Sequence, residues 1–165
     1  RAGAFDVVLT NPPFGSLLGP DAVSALGAFE LARPRGSTPL EVLGLERSVQ
    51  FLRPGGRLGI VLPEGIFTNQ RLVHLRAWLL SKVRIIAIIV LPVETFAPYG
   101  ANVRTCILLA RKRDVGDTRT DYSLVVGGCD DIGYDPSGKS TPAPCDLPAL
   151  SVVVHGAFEA AQESE

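Results

Sequence analysis

Two short stretches of this 165-residue sequence carry residue types that could do chemistry. The first is Asn11-Pro12-Pro13-Phe14, which directly follows the β-rich run FDVVLT at 5–10. At average composition, Asn-Pro-Pro followed by Phe or Tyr arises by chance in a chain of this length on the order of once in a thousand. Two prolines stiffen the backbone and leave the carbonyls around them without local pairing, so the Asn11 side-chain oxygen and the Pro12 carbonyl can act as two acceptors at a fixed spacing. An exocyclic amine offers two N–H donors. Engaging both draws its nitrogen out of conjugation toward a nucleophilic geometry, while Phe14 can stack on the ring that bears the amine. The tetrapeptide therefore reads as a methyl-acceptor site. The plainer alternative is a rigid strand terminator whose Phe14 plugs the core.

The second stretch, Gly133-Tyr-Asp-Pro-Ser-Gly138-Lys139-Ser140, formally satisfies the pattern of a phosphate-binding loop. Its context argues against that use. Such a loop comes off a strand and opens into a helix, so that amides and helix dipole face the phosphates, but Pro142, Pro144 and Pro148 forbid a helix there. Asp130, Asp131 and Asp135 add negative charge. A surface turn without nucleotide is expected. Cys106, Cys129 and Cys145 are widely spaced and odd in number, with only His74 and His155 as possible companions, so neither a metal site nor a disulfide framework is expected. His74 falls in a helical stretch and reads as a surface or packing residue.

The elements that must position these residues follow from punctuation and periodicity. Residues 5–10 predict a buried strand, stopped by Asn11, Pro12 and Pro13. Residues 15–37 read as a long loop with a helical turn around 21–31. Thr38 is expected to cap a helix with Pro39 at its first position and Glu41 closing a capping box. Val42, Leu45, Val49 and Leu52 form its stripe, and Pro54-Gly55-Gly56 its end. A strand at 57–62 follows, then a helix capped by Thr68 or Asn69 with the stripe Leu72, Leu75, Leu79 flanked by Trp78, then a strand at 85–91. This alternation predicts a parallel sheet with helices on its faces. The stretch between Leu91 and Val103 is too short and too rich in Pro and Gly for a crossover helix, so 103–110 should return antiparallel as a hairpin. Short strands at 122–126 and 150–154 and a polar terminus at 157–165 complete the expectation. Asn11-Pro12-Pro13-Phe14 then sits beyond the carboxyl end of a strand, where open parallel sheets bind ligands.

Composition bounds the class. With 46% hydrophobic and 20% charged residues the chain is globular rather than disordered. Its longest strongly apolar run, 85–93, is far short of the roughly 20 residues that span a bilayer, and no signal-like sequence opens the chain, so a cytoplasmic protein without a membrane partner is expected. The absence of methionine and the start at Arg1 suggest an internal piece of a longer protein. Net charge is −1, but residues 1–113 carry 14 Lys and Arg against 7 Asp and Glu, while residues 114–165 carry 2 against 10. A basic body suits a polyanion such as DNA. A solvated surface with an acidic tail explains the charge equally well.

Thr10-Asn-Pro-Pro-Phe-Gly15, Leu52-Arg-Pro-Gly-Gly56, Arg57-Leu-Gly-Ile-Val-Leu-Pro-Glu-Gly65 and the stretch Asn102-Val-Arg-Thr-Cys-Ile-Leu-Leu-Ala-Arg-Lys112 together resemble the amino-methylating DNA adenine methyltransferases, most nearly the modification (M) subunit of type I restriction systems. The likeness covers roughly residues 4–139, because Ile132-Gly-Tyr-Asp-Pro-Ser-Gly-Lys139 also resembles a segment of those subunits. The resemblance implies the Rossmann-like, S-adenosylmethionine-dependent methyltransferase fold with an antiparallel last strand. It implies catalytic roles for Asn11, Pro12, Pro13 and Phe14 on the N6 amine of a flipped-out adenine, with no metal. S-adenosylmethionine as cofactor, and DNA, a specificity subunit and a restriction subunit as partners, follow from it too. The family holds its cofactor through a Gly-rich turn and an acidic residue upstream of the Asn-Pro-Pro-Phe motif. Val126-Gly127-Gly128 precedes Cys-Asp-Asp and no helix, so it is no substitute, and the cofactor-binding residues of this chain stay unassigned. The expected organisation is the carboxyl-terminal half of a catalytic domain at 1–113 and an acidic, Pro-rich extension at 114–165. A protein-glutamine methyltransferase, whose amide substrate suits the same clamp, and a non-catalytic binding or assembly module are the alternatives.

Overall fold

A computed structural model describes residues 2–32 and 36–163. Residues 33–35 of the expected loop and 164–165 of the expected terminus lie outside it. A five-stranded sheet runs in the order β1-β4-β6-β5-β7, built from β1 (Phe5–Thr10), β4 (Leu52–Pro63), β5 (Val83–Val90), β6 (Thr105–Lys112) and β7 (Val125–Gly128). β1 pairs parallel with β4 and β7 parallel with β5, while β6 lies antiparallel between β4 and β5. The α/β class and the antiparallel return of the 103–110 region are thus as expected. Its connection from β5 is a 3-10 stretch, Val93–Tyr99, rather than a tight hairpin turn.

One face of the sheet carries α2 (Leu40–Phe51) and α4 (Val73–Lys82), the latter preceded by the single turn α3 (Gly65–Thr68). Val42, Leu45, Val49, Leu75 and Leu79 from the helices bury against Leu58, Ile60 and Leu62 of β4 and Leu108 of β6. The helical spacing of these leucines and valines is what puts them on one side, and burying each is worth about 1.5–3 kcal/mol. Lys112 Nζ closes the carboxyl end of α2 by donating to the Val49 and Leu52 carbonyls at 2.9 and 2.6 Å. The other face carries α5 (Leu147–Glu163), whose Leu150, Val154 and Phe158 cover Ala87 and Ile89 of β5 and Ile107 and Leu109 of β6.

Several expectations are corrected. The 5–10 strand is not buried: it pairs on one side only, and Phe5, Val7 and Leu9 are exposed. The 15–37 loop contains α1 (Pro20–Ala25) and the two-residue strand β2 (Leu17–Leu18), which pairs with β3 (Thr38–Pro39). That pairing takes Thr38 and Pro39 out of the helix, so α2 starts at Leu40, whose N–H donates to the Ser16 carbonyl, and no side chain caps it. Pro54-Gly55-Gly56 does not separate helix from strand. β4 follows α2 without a break and absorbs the three residues as an irregularity, its register jumping between Phe5↔Leu52 and Val7↔Arg57. The expected strand at 150–154 lies within α5, because Leu147, Leu150, Val154 and Phe158 recur at helical spacing against the sheet, and that packing outweighs the β-propensity of Val152-Val153-Val154. The expected 122–126 strand is shifted to β7. Asn69 does cap: its side chain accepts from the Arg71 N–H at the 3-10 turn Gln70–Leu72 that leads into α4, and His74 is exposed on that helix. No described helix is long and apolar enough to cross a membrane.

Candidate active site at the carboxyl ends of the strands

The parallel strands β1, β4, β5 and β7 end on one side of the sheet, and Asn11-Pro12-Pro13-Phe14 opens from β1 there. The two prolines end the ladder because neither can donate to it. Gly15 then turns the chain at φ +74°, a conformation that a side chain resists, and β2 follows. Within the tetrapeptide, Pro12 is buried against α2, Asn11 and Pro13 are exposed, and Phe14 is half-buried. Among the described residues neither the Asn11 side-chain amide nor the Pro12 carbonyl has a hydrogen-bond partner. The motif is therefore held by packing, and its two acceptors are left for something else.

Phe14 does not plug the core. It belongs to neither hydrophobic cluster, and its ring meets Phe96 edge-to-face, centroids 6.1 Å apart at 86°. Phe96 comes from the β5–β6 connection, although β6 and β4 separate β5 from β1 in the sheet. That connection is itself fastened: Thr95 Oγ1 donates to the Pro92 carbonyl at 2.7 Å, and the Tyr134 hydroxyl donates to the Thr95 carbonyl at 2.8 Å. Sequence reasoning passed over Phe96 because the contact is long-range, and the only local signal was an aromatic amid prolines and glycine.

Tyr134 belongs to the octapeptide with the phosphate-loop pattern, which is a turn. Tyr134 and Ser140 form a single antiparallel bridge. Asp135 Oδ1 accepts from the Ser137 N–H, the Ser137 hydroxyl and the Lys139 N–H at 2.8, 2.7 and 3.0 Å. These donors hold the Asp135 carboxyl below the usual carboxylate range, so an aspartate of the chain already occupies the amides that a phosphate would need. Lys139 is exposed.

Gly127 and Gly128 are paired within β7 against Ile89 and Val90, so they form no cofactor turn. Among the described residues no group of three or more His, Cys, Asp or Glu side chains could hold a metal ion. Cys106 and Cys129 are buried, and burial pushes the Cys106 thiol up to about 12, which makes it unreactive.

This sheet and its antiparallel β6 define the fold of the class I S-adenosylmethionine-dependent methyltransferases. A Listeria monocytogenes chain described as such an enzyme superposes with a TM-score of 0.69 over 94% of this chain and 43% of its own, at 26% identity. The chain belongs to the N-6 DNA Methylase family, whose model matches residues 1–130. It is 30% identical over 144 residues to the methylase subunit of the type I restriction enzyme EcoKI of Escherichia coli K12, covering 82% of this chain. The crystal structure of the EcoKI M protein shares the fold, with a TM-score of 0.55 over 84% of this chain and 28% of that one, at 21% identity. The chain spans 25% of the length of the Escherichia coli subunit.

Proposed function

We propose that this chain is the acceptor half of an S-adenosylmethionine-dependent DNA adenine-N6 methyltransferase of the type I modification class. In this reading, residues 1–113 are the carboxyl-terminal half of the catalytic domain, and residues 114–165 extend it. The complete enzyme works on DNA in the cytoplasm with a specificity subunit that selects the sequence and a restriction subunit. The observation that carries the reading is the Asn11-Pro12-Pro13-Phe14 segment at the end of β1, with the Asn11 amide exposed and unpaired and Phe14 outside the core.

The residues present fit the acceptor side of methyl transfer. Asn11 Oδ1 and the Pro12 carbonyl accept the two N–H bonds of the adenine amine, which frees the nitrogen lone pair from the ring. Phe14, steadied by its edge-to-face pairing with Phe96, stacks on the extruded base. Asn11 sits where both tasks meet, at the strand end. S-adenosylmethionine, when bound, supplies an electrophilic methyl group. The described residues that would hold that cofactor are not assigned, and Gly127 and Gly128, paired within β7, are not among them. The exposed edge of β1, with Phe5, Val7 and Leu9 open, suits continuation of the sheet.

The test is Asn11→Ala in the complete enzyme, with tritiated S-adenosylmethionine and unmodified DNA. The rate of N6-methyladenine formation falls by about 10²-fold or more, since one preorganised acceptor is lost, while the circular dichroism spectrum is unchanged. Wild-type activity in this variant would make the motif a turn and nothing more.

A further inference from the structure

Gly44 lies inside α2, in the helix that covers the sheet beneath the candidate site. Glycine is the poorest helix former after proline, so an interior glycine in a buried helix calls for a steric reason. Pro12 supplies one. A β-carbon on Gly44 would stand 2.9 Å from Pro12 Cβ and 3.5 Å from Pro12 Cγ. No real β-carbon tolerates the first distance. Pro12 cannot swing aside, because its Cβ is one bond from the backbone and its ring fixes φ. The helix cannot retreat either: Val42, Leu45 and Val49 anchor it in the core, and the Leu40 N–H ties its start to the Ser16 carbonyl, just past the motif.

Pro12 is also the one buried residue of the four. The contact with α2 is thus what sets the height of the motif above the sheet, and with it the placing of the Asn11 amide and the Pro12 carbonyl. We propose that Gly44 is a positioning residue: the space left by its missing side chain seats Pro12 and fixes both acceptors. The steric part of this inference stands on the structure alone, and its consequence for rate rests on the proposed function.

The experiment uses the complete enzyme carrying Gly44→Ala, Pro12→Gly or both, with Gly156→Ala as control. Gly156 is in α5, and a methyl group added there meets nothing within 4 Å. Gly44→Ala lowers kcat about tenfold or more and leaves KM for S-adenosylmethionine within twofold, because a shift of a few tenths of an ångström spoils alignment and not cofactor affinity. Its melting temperature does not rise above wild type, whereas Gly156→Ala melts higher and keeps its kcat. In the Pro12→Gly background the same Gly44→Ala change raises the melting temperature, since only helix propensity remains. An equal rise in both backgrounds, or a wild-type kcat in Gly44→Ala, would overturn the inference. If Gly44→Ala alone fails to fold, recovery of the fold in the double variant supports the contact, and failure of the double variant overturns it. A wild-type enzyme that makes no N6-methyladenine would sink the proposed function instead, and the melting comparison would still judge the seat.

Discussion

Replacement of Phe14 by alanine separates stacking from packing. The ring is half-buried, lies outside both cores and meets Phe96 in an edge-to-face pair. An edge-to-face pair contributes about 0.5–1.5 kcal/mol, so with half the burial of a core ring the substitution costs the fold about 1–3 kcal/mol. A base stacked on an aromatic side chain is worth about 1–3 kcal/mol, which corresponds to a loss of roughly 5- to 150-fold in kcat/KM on DNA. Phe14→Tyr should retain activity within a few fold, because the ring is kept. Phe96→Leu, which removes the edge contact and keeps apolar bulk, should lose less than tenfold. The assay is methyl incorporation into unmodified DNA at limiting substrate, alongside thermal unfolding of each variant. Stacking would be refuted by a kcat/KM for Phe14→Ala equal to wild type, or by unfolding of that variant, which would make Phe14 a core residue.

Three further outcomes are expected. Lys139→Ala leaves methyl transfer nearly unchanged, and equilibrium dialysis detects no ATP binding before or after the change, since Asp135 already fills the amides of that turn. Glu46→Ala destabilises the fold by about 2–4 kcal/mol in urea unfolding: the fully buried Glu46 carboxylate accepts the Glu30 and Leu31 N–H groups at 2.6 and 2.8 Å, and both amides would be orphaned. A cost under 1 kcal/mol would mean that water replaces it. Asp117, which accepts from Arg84 at 2.7 Å and pairs with Arg113 at 3.2 Å, has its carboxyl held at about 2, below its ordinary 3.8. Its folded value lies below its unfolded one, so its contribution is complete above about pH 4 and is lost as pH falls toward 2. Asp117→Asn lowers stability near neutrality by about 1–2 kcal/mol, allowing for partial solvent screening, and flattens the acid limb of the stability curve. An unchanged acid limb would refute the pairing.

What could be read from the sequence was what local chemistry decides. Prolines 12 and 13 stop β1 wherever that strand sits, and the spacing of Leu75 and Leu79 selects one face of α4 whatever lies against it. The antiparallel β6 was legible because Pro92, Pro98 and Gly100 leave no room for a crossover helix. Misreadings came where a distant partner decides. Val152-Val153-Val154 has the composition of a strand and is a helix, because the second sheet face needs Leu150, Val154 and Phe158 on one side. Thr38 reads as a cap and is instead paired with Leu18, a residue far back in the preceding loop. The motif itself was visible, but its supports were not. Phe96 reaches Phe14 only through the path of the β5–β6 connection. Gly44 offered a local signal, a glycine amid a helical stripe, whose meaning depends on knowing that Pro12 lies above it.

The placement of β6 also governs how the chain can fold. Without it the other four strands fall into two parallel pairs, β1–β4 and β5–β7, with no hydrogen bond between them. A nascent chain released from the ribosome only as far as β5 therefore presents β4 and β5 as open edges that lack their native partner. At translation speeds of about 5–20 residues per second, the interval until Lys112 emerges lasts on the order of seconds, long enough for such edges to recruit other chains. Sheet closure is thus a late, strand-insertion step, and the yield of soluble protein should depend on how quickly translation carries the chain through 105–112.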